Sequence, residues 1–297
     1  MKQVELIIIG AQKAGTTSLN KYLAQHPNIY THFTQEFPMF ASLQDCEKGI
    51  ENNILQSVQK DNLKNPEKTS FIAKRVGLMY NKDMLLKLKE LFPDCKIVVI
   101  LRNPIERAFS AFKYCRKNGM EPYEKFEDAI FVNDESRFKG NLKFKRNCDY
   151  IFRSSYLKPV QNIYGIFPSA NIRIYLFEEI INDLNAPLNE MVSSLNLPQF
   201  EFDTNTNYNE GTNSKSDFFS KFVASEKSDV LKKILPLEQR MKIKLFLKNL
   251  NTDKNKTRRI LMQESTRQYL TTIFSNEVKE LEKTLNLPIK KYWPEFF

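Results

Sequence analysis

Two glycines, Gly10 and Gly15, follow a β-branched run near the start of the chain, with Lys13 between them. In such a loop the backbone N–H groups converge on one spot beside the positive end of the following helix, which makes an anion site. Residues 16–18 add three hydroxyl groups. Loops that bind nucleoside triphosphates carry lysine directly after the second glycine, where Thr16 stands here. We therefore expect the loop to hold a terminal anion by hydrogen bonds and one cation, without a metal.

A second candidate anion site begins at Arg102, which ends the apolar run Ile97–Leu101. Arginine is suited to bidentate phosphate binding, and ligands of open α/β sheets lie at the carboxyl ends of the strands. Ser110 follows roughly 9 Å along the predicted helix. An arginine that caps its own sheet edge and an exposed serine are the structural alternatives. Together with the first loop, the pair predicts a second phosphate-binding site.

These residues require a strand–loop–helix framework. Val4–Ile9 predicts a buried strand and Thr17–Gln25 a helix, a pattern that repeats at Ile97–Leu101 and the helix from Pro104 onward. Asn171–Ile180 predicts a third strand. Alternating strands and helices indicate the α/β class, with a parallel β-sheet flanked by helices on both faces. We expect one P-loop-like domain over residues 1–297.

The last third of the chain has a different character. Phe202–Asp217 is polar and predicts a long loop, and Lys248–Arg259 predicts a basic surface stretch. Residues 265–285 carry apolar side chains at helical spacing, so they predict a helix that docks on the body of the protein. We find no clear linker between separate domains.

Composition restricts the function further. The net charge of +10 suits an anionic ligand, but lysines and acidic residues alternate along the 297 residues, so we expect no nucleic-acid partner. Two histidines and no paired cysteines argue against a metal site. The apolar runs are far shorter than the roughly 18 residues of a membrane span. We expect a cytoplasmic protein with reduced thiols at four positions: Cys46, Cys95, Cys115 and Cys148.

The motifs together resemble the sulfotransferases that use 3′-phosphoadenosine 5′-phosphosulfate (PAPS), in particular the carbohydrate (heparan-type) and bacterial branch. The segment "GAQKAGTTSL" is similar to their 5′-phosphosulfate loop, and "LRNPIERAFSAF" to their 3′-phosphate segment. Four looser matches follow in the family's order: "QEFPMF" (Gln35–Phe40), "EKTS" (Glu67–Ser70), "LFEEI" (Leu176–Ile180) and Trp293.

The resemblance implies a sulfotransferase fold and in-line transfer of a sulfuryl group from PAPS to an acceptor hydroxyl, with the bisphosphate PAP as product and no metal. It implies a saccharide, small-molecule or lipid alcohol as acceptor. Glu36 would take the acceptor's proton, Lys68 would be a second cation at the sulfuryl group, and Lys13 would also stabilise the leaving phosphate. The implied nucleotide-binding residues are Gln12, Lys13, Ala14, Gly15, Thr16, Thr17, Ser18, Arg102, Ser110 and Tyr156.

Several positions depart from the family's pattern. Gln35 replaces the lysine that precedes the glutamate, which removes one cation facing the acceptor. The late segment that closes over the nucleotide has no clear counterpart, and either Lys215 or Lys254–Arg259 would take its place. His32, four residues before Glu36, is the rival general base because histidine titrates near neutral pH.

Two other functions compete with sulfuryl transfer. A P-loop nucleotide kinase or NTPase would bind ATP with Mg²⁺, but the lysine after the second glycine is missing. A non-catalytic basic binding module would need neither Lys13 nor Arg102, and its affinity for nucleic acid would fall steeply with salt. Metal-independent binding of PAP distinguishes the sulfotransferase from both.

Overall fold

The computed structural model describes residues 3–132, 134–205, 213–214, 252–253 and 260–297. The chain divides into two compact units. The first unit contains Met1–Asn103, Ser155–Asn209 and Ser275–Phe297, and the second contains Pro104–Ser154 and Glu210–Phe274.

The first unit contains a five-stranded parallel sheet in the order β2-β3-β1-β4-β5. Its strands are β1 (Leu6–Gly10), β2 (Ile29–Thr31), β3 (Ser70–Lys74), β4 (Lys96–Leu101) and β5 (Ile172–Leu176). Every residue of β1 and β3 is buried, as expected for parallel strands covered on both faces. The predicted α/β fold with a parallel sheet is therefore confirmed.

The register aligns the carboxyl ends of the central strands. Ile7 of β1 pairs with Ala73 of β3 on one side and with Ile97 of β4 on the other. Because all three strands run in the same direction, the residues that follow them emerge at one edge of the sheet, where α/β proteins bind ligands. We call this edge, where the chain leaves the five strands, the carboxyl edge.

The helices account for most of the remaining described residues. They are α1 (Thr16–Leu23), α2 (Leu43–Glu47), α3 (Gly49–Ser57), α4 (Lys60–Lys64), α5 (Lys82–Leu91), α6 (Pro104–Lys117), α7 (Phe126–Phe131), α8 (Leu142–Asn147), α9 (Leu157–Ile166), α10 (Phe177–Ile180), α11 (Asn185–Ser194), α12 (Glu264–Leu285) and α13 (Ile289–Tyr292). Short 3₁₀ helices span Met39–Ala41, Leu78–Tyr80, Glu135–Phe138, Phe152–Ser154, Ser169–Asn171 and Pro294–Phe296.

Two of the predicted helices bury the faces that their apolar spacing indicates. In α6 the side chains of Ile105, Ala108 and Phe112 are buried. In α12 a stripe that includes Leu270 and Leu281 is buried. Such stripes supply most of the stability of a helix in a folded protein, because burying apolar surface outweighs intrinsic helix propensity.

The predicted third strand is shorter than the sequence suggests. Strand β5 ends at Leu176, and residues 177–180 of the predicted Asn171–Ile180 strand form helix α10 instead. Strands β2 and β3 were not predicted, because one has three residues and the other lies next to no glycine loop.

The second unit has its own buried core. Arg107 is fully buried there, and its Nε donates to Ser154 Oγ at 2.6 Å. Asn213–Ser214 pairs in antiparallel fashion with Thr252–Asp253. The rest of the predicted basic stretch Lys248–Arg259, with Lys215 and residues 206–212 of the predicted loop, lies outside the described residues.

All four cysteines, Cys46, Cys95, Cys115 and Cys148, are buried and free, as the expectation of reduced thiols requires. Among the described residues, no helix is long and apolar enough to cross a membrane.

Candidate active site

The glycine loop connects β1 to α1 and presents the start of that helix. Gly15 is the N-cap of α1, with φ 78° and ψ 1°, and Lys13 also has a positive φ of 72°. Glycine has no side chain that accepts hydrogen bonds from the first-turn N–H groups, and no acidic residue lies in that turn. The positive helix end is therefore without a side-chain cap, which suits an external anion.

The predicted binding residues of this loop differ in burial. Ala14 and Thr16 are buried, and the half-buried residues are Gln12, Lys13, Gly15, Thr17 and Ser18. The N–H of Ala14 donates to the carbonyl of Ala11 at 3.3 Å, which closes a turn within the loop. Ala14 is therefore buried in a turn of the loop, while Lys13, Thr17 and Ser18 are partly exposed.

The Phe177 side chain packs against the glycine loop. A Cβ atom on Gly15 would lie 3.1 Å from Cε2 of Phe177. Gly15 is thus required both by its positive φ and by this close approach. Phe177 follows β5 directly, so the loop after β1 and the turn after β5 are in contact within the first unit. Sequence reasoning missed Phe177, because its neighbourhood was read as a strand.

Arg102 lies at the end of β4 and reaches back to the glycine loop. Its Nη1 donates to the carbonyl oxygen of Lys13 at 3.0 Å, and its guanidinium carbon lies 4.8 Å from the ring centroid of Phe177. Its Nε is buried without a hydrogen-bond partner among the described residues. The structure therefore places the Arg102 guanidinium beside the glycine loop, and the binding of one ligand by Lys13 and Arg102 stays a prediction.

Tyr156 hydrogen-bonds to the backbone of Arg102. Its hydroxyl donates to the carbonyl oxygen of Arg102 at 2.9 Å, and the side chain is buried. The predicted contact between Tyr156 and the nucleotide is therefore corrected, because the hydroxyl proton is engaged and the ring is covered. Tyr156 fixes the backbone that carries Arg102 instead.

Ser110, the other predicted 3′-phosphate residue, lies on α6 in the second unit. It is half-buried, and its hydroxyl makes no hydrogen bond with the described residues. Its role beside Arg102 stays a prediction.

Glu36 forms an ion pair that the sequence did not predict. Its Oε1 accepts from Nζ of Lys74 at 2.6 Å, and its Oε2 accepts from the backbone N–H of Val76 at 2.8 Å. Lys74 ends β3, and Arg75 after it donates its N–H to the carbonyl of Ile8 in β1 at 2.8 Å. The pair therefore lies at the carboxyl edge, one strand away from the base of the glycine loop.

Burial makes the Lys74–Glu36 pair asymmetric. The side chain of Lys74 is 3% exposed, whereas that of Glu36 is 27% exposed. A buried ammonium group needs a counter-charge, so Lys74 is fixed on the carboxylate. The carboxylate keeps one face in solvent, where a ligand can reach it.

His32 is unsuited to the role of general base. Its Nε2 accepts from the backbone N–H of Lys74 at 3.0 Å, so the ring proton lies on Nδ1, which faces the carbonyl of Thr34 at 2.9 Å. Burial, helped by the charge of Lys74, lowers the pKa of His32 to about 3. The predicted rival base is therefore corrected: neither ring nitrogen is available, and His32 joins β3 to the segment that carries Glu36.

Lys68 lies at the wrong edge of the sheet. It precedes β3, and its Nζ donates to the carbonyl of Ile29, the first residue of β2, at 2.6 Å. The five-residue strand β3, whose last residue is Lys74, lies between this amino edge and the carboxyl edge, a length of about 17 Å. The prediction that Lys68 contacts the sulfuryl group is therefore wrong, and Lys74 is the cation that the fold places beside Glu36.

The carboxyl ends of four strands, β1, β3, β4 and β5, thus contribute to one site. The loop of β1 lies between Lys74 at the end of β3 and Arg102 at the end of β4, and Phe177 follows β5. The arrangement offers three cations, Lys13, Lys74 and Arg102, together with a helix start and the Glu36 carboxylate. That set can bind an extended anion and accept one proton. Among the described residues, no cluster of histidine, cysteine, aspartate or glutamate has the form of a metal site.

The comparison with protein families gives a match over nearly the whole chain. The family described as "Sulfotransferase domain" matches residues 3–281. Among curated proteins, the chain is 25% identical over 208 residues to bifunctional heparan sulfate N-deacetylase/N-sulfotransferase 1 of Caenorhabditis briggsae, which covers 69% of this chain and 24% of that protein. It is 31% identical over 151 residues to the membrane-associated sulfotransferase kil1 of Dictyostelium discoideum, covering 47% and 30%. The chain thus spans about a quarter of the length of the first relatives it matches.

A solved structure supports the fold. The sulfotransferase from Alicyclobacillus acidocaldarius superposes with a TM-score of 0.64 at 20% identity, covering 96% of this chain and 97% of that one. This similarity confirms the predicted fold.

Proposed function

Because the chain belongs to the sulfotransferase domain family, we propose that it transfers the sulfuryl group of PAPS to a hydroxyl group of a saccharide, small molecule or lipid alcohol. The observation that carries the proposal is the hydrogen bond from Arg102 Nη1 to the carbonyl of Lys13, which joins two cationic sites in one unit. The family match favours this function over a P-loop kinase or NTPase. The lysine that such enzymes carry after the second glycine is also missing here, because Thr16 stands in its place.

The residues of the glycine loop and of β4 fit the two ends of the donor. The uncapped start of α1 and Lys13 would hold the 5′-phosphosulfate, and Arg102 would hold the 3′-phosphate. When bound, PAPS supplies an activated sulfuryl group whose leaving group is a nucleotide phosphate. Fixed N–H donors and the Lys13 ammonium stabilise negative charge there, in a role that needs no metal.

Glu36 would accept the proton of the acceptor. Each of its carboxylate oxygens already accepts one hydrogen bond, and each retains a lone pair for a second. Lys74 and the Val76 N–H hold the carboxylate in one orientation, so an acceptor hydroxyl that donates to it is also oriented. The solvent-facing side of Glu36 is the face that an acceptor reaches.

A second candidate acceptor is an amine. It is favoured by the relatives named heparan sulfate N-deacetylase/N-sulfotransferase, which match 69% of the chain. An amine must lose a proton during sulfuryl transfer just as a hydroxyl does, so Glu36 serves both acceptors equally. Gln35 stands where the family's pattern has lysine, so one cation beside the solvent-facing side of Glu36 is missing.

Transfer is tested with PAPS labelled in the sulfuryl group and a panel of neutral sugars, amino sugars, sterols and phenols, in EDTA. We expect labelled product and stoichiometric release of PAP with at least one acceptor class. Acid lability of the label separates a sulfamate from a sulfate ester. Binding of ATP with Mg²⁺ in place of PAP would refute the proposal.

A further inference from the structure

Glu178 joins two segments that are far apart in the sequence. Its Oε1 accepts from the backbone N–H of Asn103 at 2.9 Å, and its Oε2 accepts from Nε1–H of Trp293 at 3.0 Å. Trp293 is fully buried. One carboxylate thus connects the residue after Arg102 to a segment 190 positions later in the chain, and all of these residues belong to the first unit.

The same segment makes a second contact with the end of β4. Oε1 of Glu295 accepts from Nδ2 of Asn103 at 2.6 Å. The indole of Trp293 also lies 6.4 Å, centroid to centroid, from the ring of Tyr156, whose hydroxyl donates to the Arg102 carbonyl. Residues 102–103 are therefore held by three hydrogen bonds: Tyr156 and Glu178 bond to their backbone, and Glu295 bonds to the Asn103 side chain.

Phe177, the neighbour of Glu178, also contacts Arg102. The Phe177 ring packs on the guanidinium of Arg102 and lies against Gly15 in the glycine loop. A cation over an aromatic face is held by the ring quadrupole, more strongly when partly desolvated. At the start of α10, the Phe177 side chain therefore contacts both proposed anion sites. The Glu178 side chain bonds to Asn103 at the end of β4.

We propose that Glu178 is a positioning residue for nucleotide recognition: by fastening Trp293 to Asn103, it holds Arg102 at the distance from the glycine loop that a 3′-phosphate requires. This inference rests on the proposed function. Glu178 does not touch the nucleotide, so its effect passes entirely through Arg102. The carboxylate of Glu178 bonds to Asn103 and Trp293 and to no residue of the glycine loop, so its loss should weaken the grip on the 3′ end more than the grip on the 5′ end.

The test compares two ligands that differ only in the 3′-phosphate. The affinity for PAP is measured by isothermal titration, and that for adenosine 5′-monophosphate by its competition with PAP. Glu178→Gln retains one acceptor oxygen and places an NH₂ group against an N–H donor, so one of the two hydrogen bonds is lost. We expect PAP affinity to fall roughly tenfold and adenosine 5′-monophosphate affinity to change less than twofold.

Two further variants separate positioning from general stability. Glu179→Gln changes the next carboxylate, whose side chain makes no hydrogen bond with the described residues, and both affinities should stay at wild-type values. Trp293→Phe keeps a smaller aromatic ring but removes the N–H, and should lower the PAP preference in the same direction as Glu178→Gln. If Glu178→Gln fails to fold, Trp293→Phe decides the question.

The outcomes are distinct. If Glu178→Gln or Trp293→Phe leaves the ratio of PAP affinity to adenosine 5′-monophosphate affinity unchanged, the positioning role is overturned and the proposed function stays intact. Wild-type protein that shows no preference for PAP over adenosine 5′-monophosphate overturns the proposed function itself.

Discussion

Nζ of Lys74 lies 2.6 Å from Oε1 of Glu36, and the lysine side chain is almost completely buried. This ion pair links the end of β3 to the segment that follows β2. Because removing one member leaves an uncompensated buried charge, the pair is coupled in stability as well as in any role in proton transfer. Its members therefore need separate substitutions that preserve shape.

Substitution of Glu36 by glutamine should separate chemistry from binding. The amide keeps the size of the side chain and an acceptor oxygen for Lys74, loses the hydrogen bond from the Val76 N–H, and cannot take a proton from the acceptor. We expect sulfuryl transfer to fall by about 10²–10⁴-fold. Affinity for PAP, measured by titration, should stay within twofold. Glu47→Gln, at an exposed carboxylate, serves as the control, and unchanged turnover in Glu36→Gln would remove Glu36 from the base role.

Substitution of Lys74, the last residue of β3, and of Lys68, which precedes the strand, should affect the rate of transfer differently. Lys74→Met removes the cation that orients Glu36, so transfer should fall at least tenfold. Lys68→Met acts at the amino edge, where its Nζ donates to main-chain carbonyls, and transfer should remain within twofold of wild type. The opposite ranking of the two rates would show that the edge assignment is wrong.

The acid stability of the fold should depend on His32. Its pKa is about 3 in the folded protein against an ordinary 6.5, so between these values the unfolded chain binds a proton that the folded chain does not. The free energy of unfolding therefore rises with pH through this window, by about 1.4 kcal/mol per pH unit, and the contribution is complete above about 6.5.

His32→Gln should flatten that dependence. Urea unfolding at pH values between 4 and 6 should give a slope of free energy against pH that is smaller by about one proton than the wild-type slope. The two slopes should agree above pH 7. Equal slopes in the acid range would mean that His32 is protonated in the folded protein.

Gly15 should be more sensitive to alanine than another glycine of similar conformation. Gly15 has φ 78° and Gly49 has φ 76°, but an added Cβ meets nothing within 4 Å at Gly49. Both variants carry the left-handed strain of about 1–2 kcal/mol, and only Gly15→Ala also presses on Phe177.

Thermal unfolding and PAP titration measure this difference. Gly49→Ala should be destabilised by the strain alone and should bind PAP normally. Gly15→Ala should be destabilised further and should bind PAP at least tenfold more weakly, because Phe177 packs on Arg102. Identical behaviour of the two variants would contradict the described packing of the loop.

The sequence predicted those parts of the site whose signals are local. The strand–glycine–helix pattern located Lys13 and Gly15, and the β-branched run before Arg102 located the second cation. Each of these residues comes soon after a predicted strand in the sequence, so its position could be predicted without knowing how the strands pair. The loop and Arg102 accordingly lie where the pattern placed them.

The misplaced residues depended on pairing that a single sequence does not reveal. The motif at Lys68 drew attention to the start of β3, whereas the register brings its end, at Lys74, beside β1. His32 has the residue type of a base, but its burial and its bond to the Lys74 N–H arise from tertiary contacts. A short buried strand that ends in lysine was the one local signal for Lys74.

The measurement that bears most directly on the account is calorimetric titration of PAP in EDTA, into wild-type protein and into Lys13→Ala, Arg102→Ala and the double variant. We expect metal-independent binding and a loss of at least tenfold in each single variant, because each substitution removes one of the two cations assigned to the ligand. Absence of wild-type binding, or equal affinity in all four proteins, would contradict this expectation.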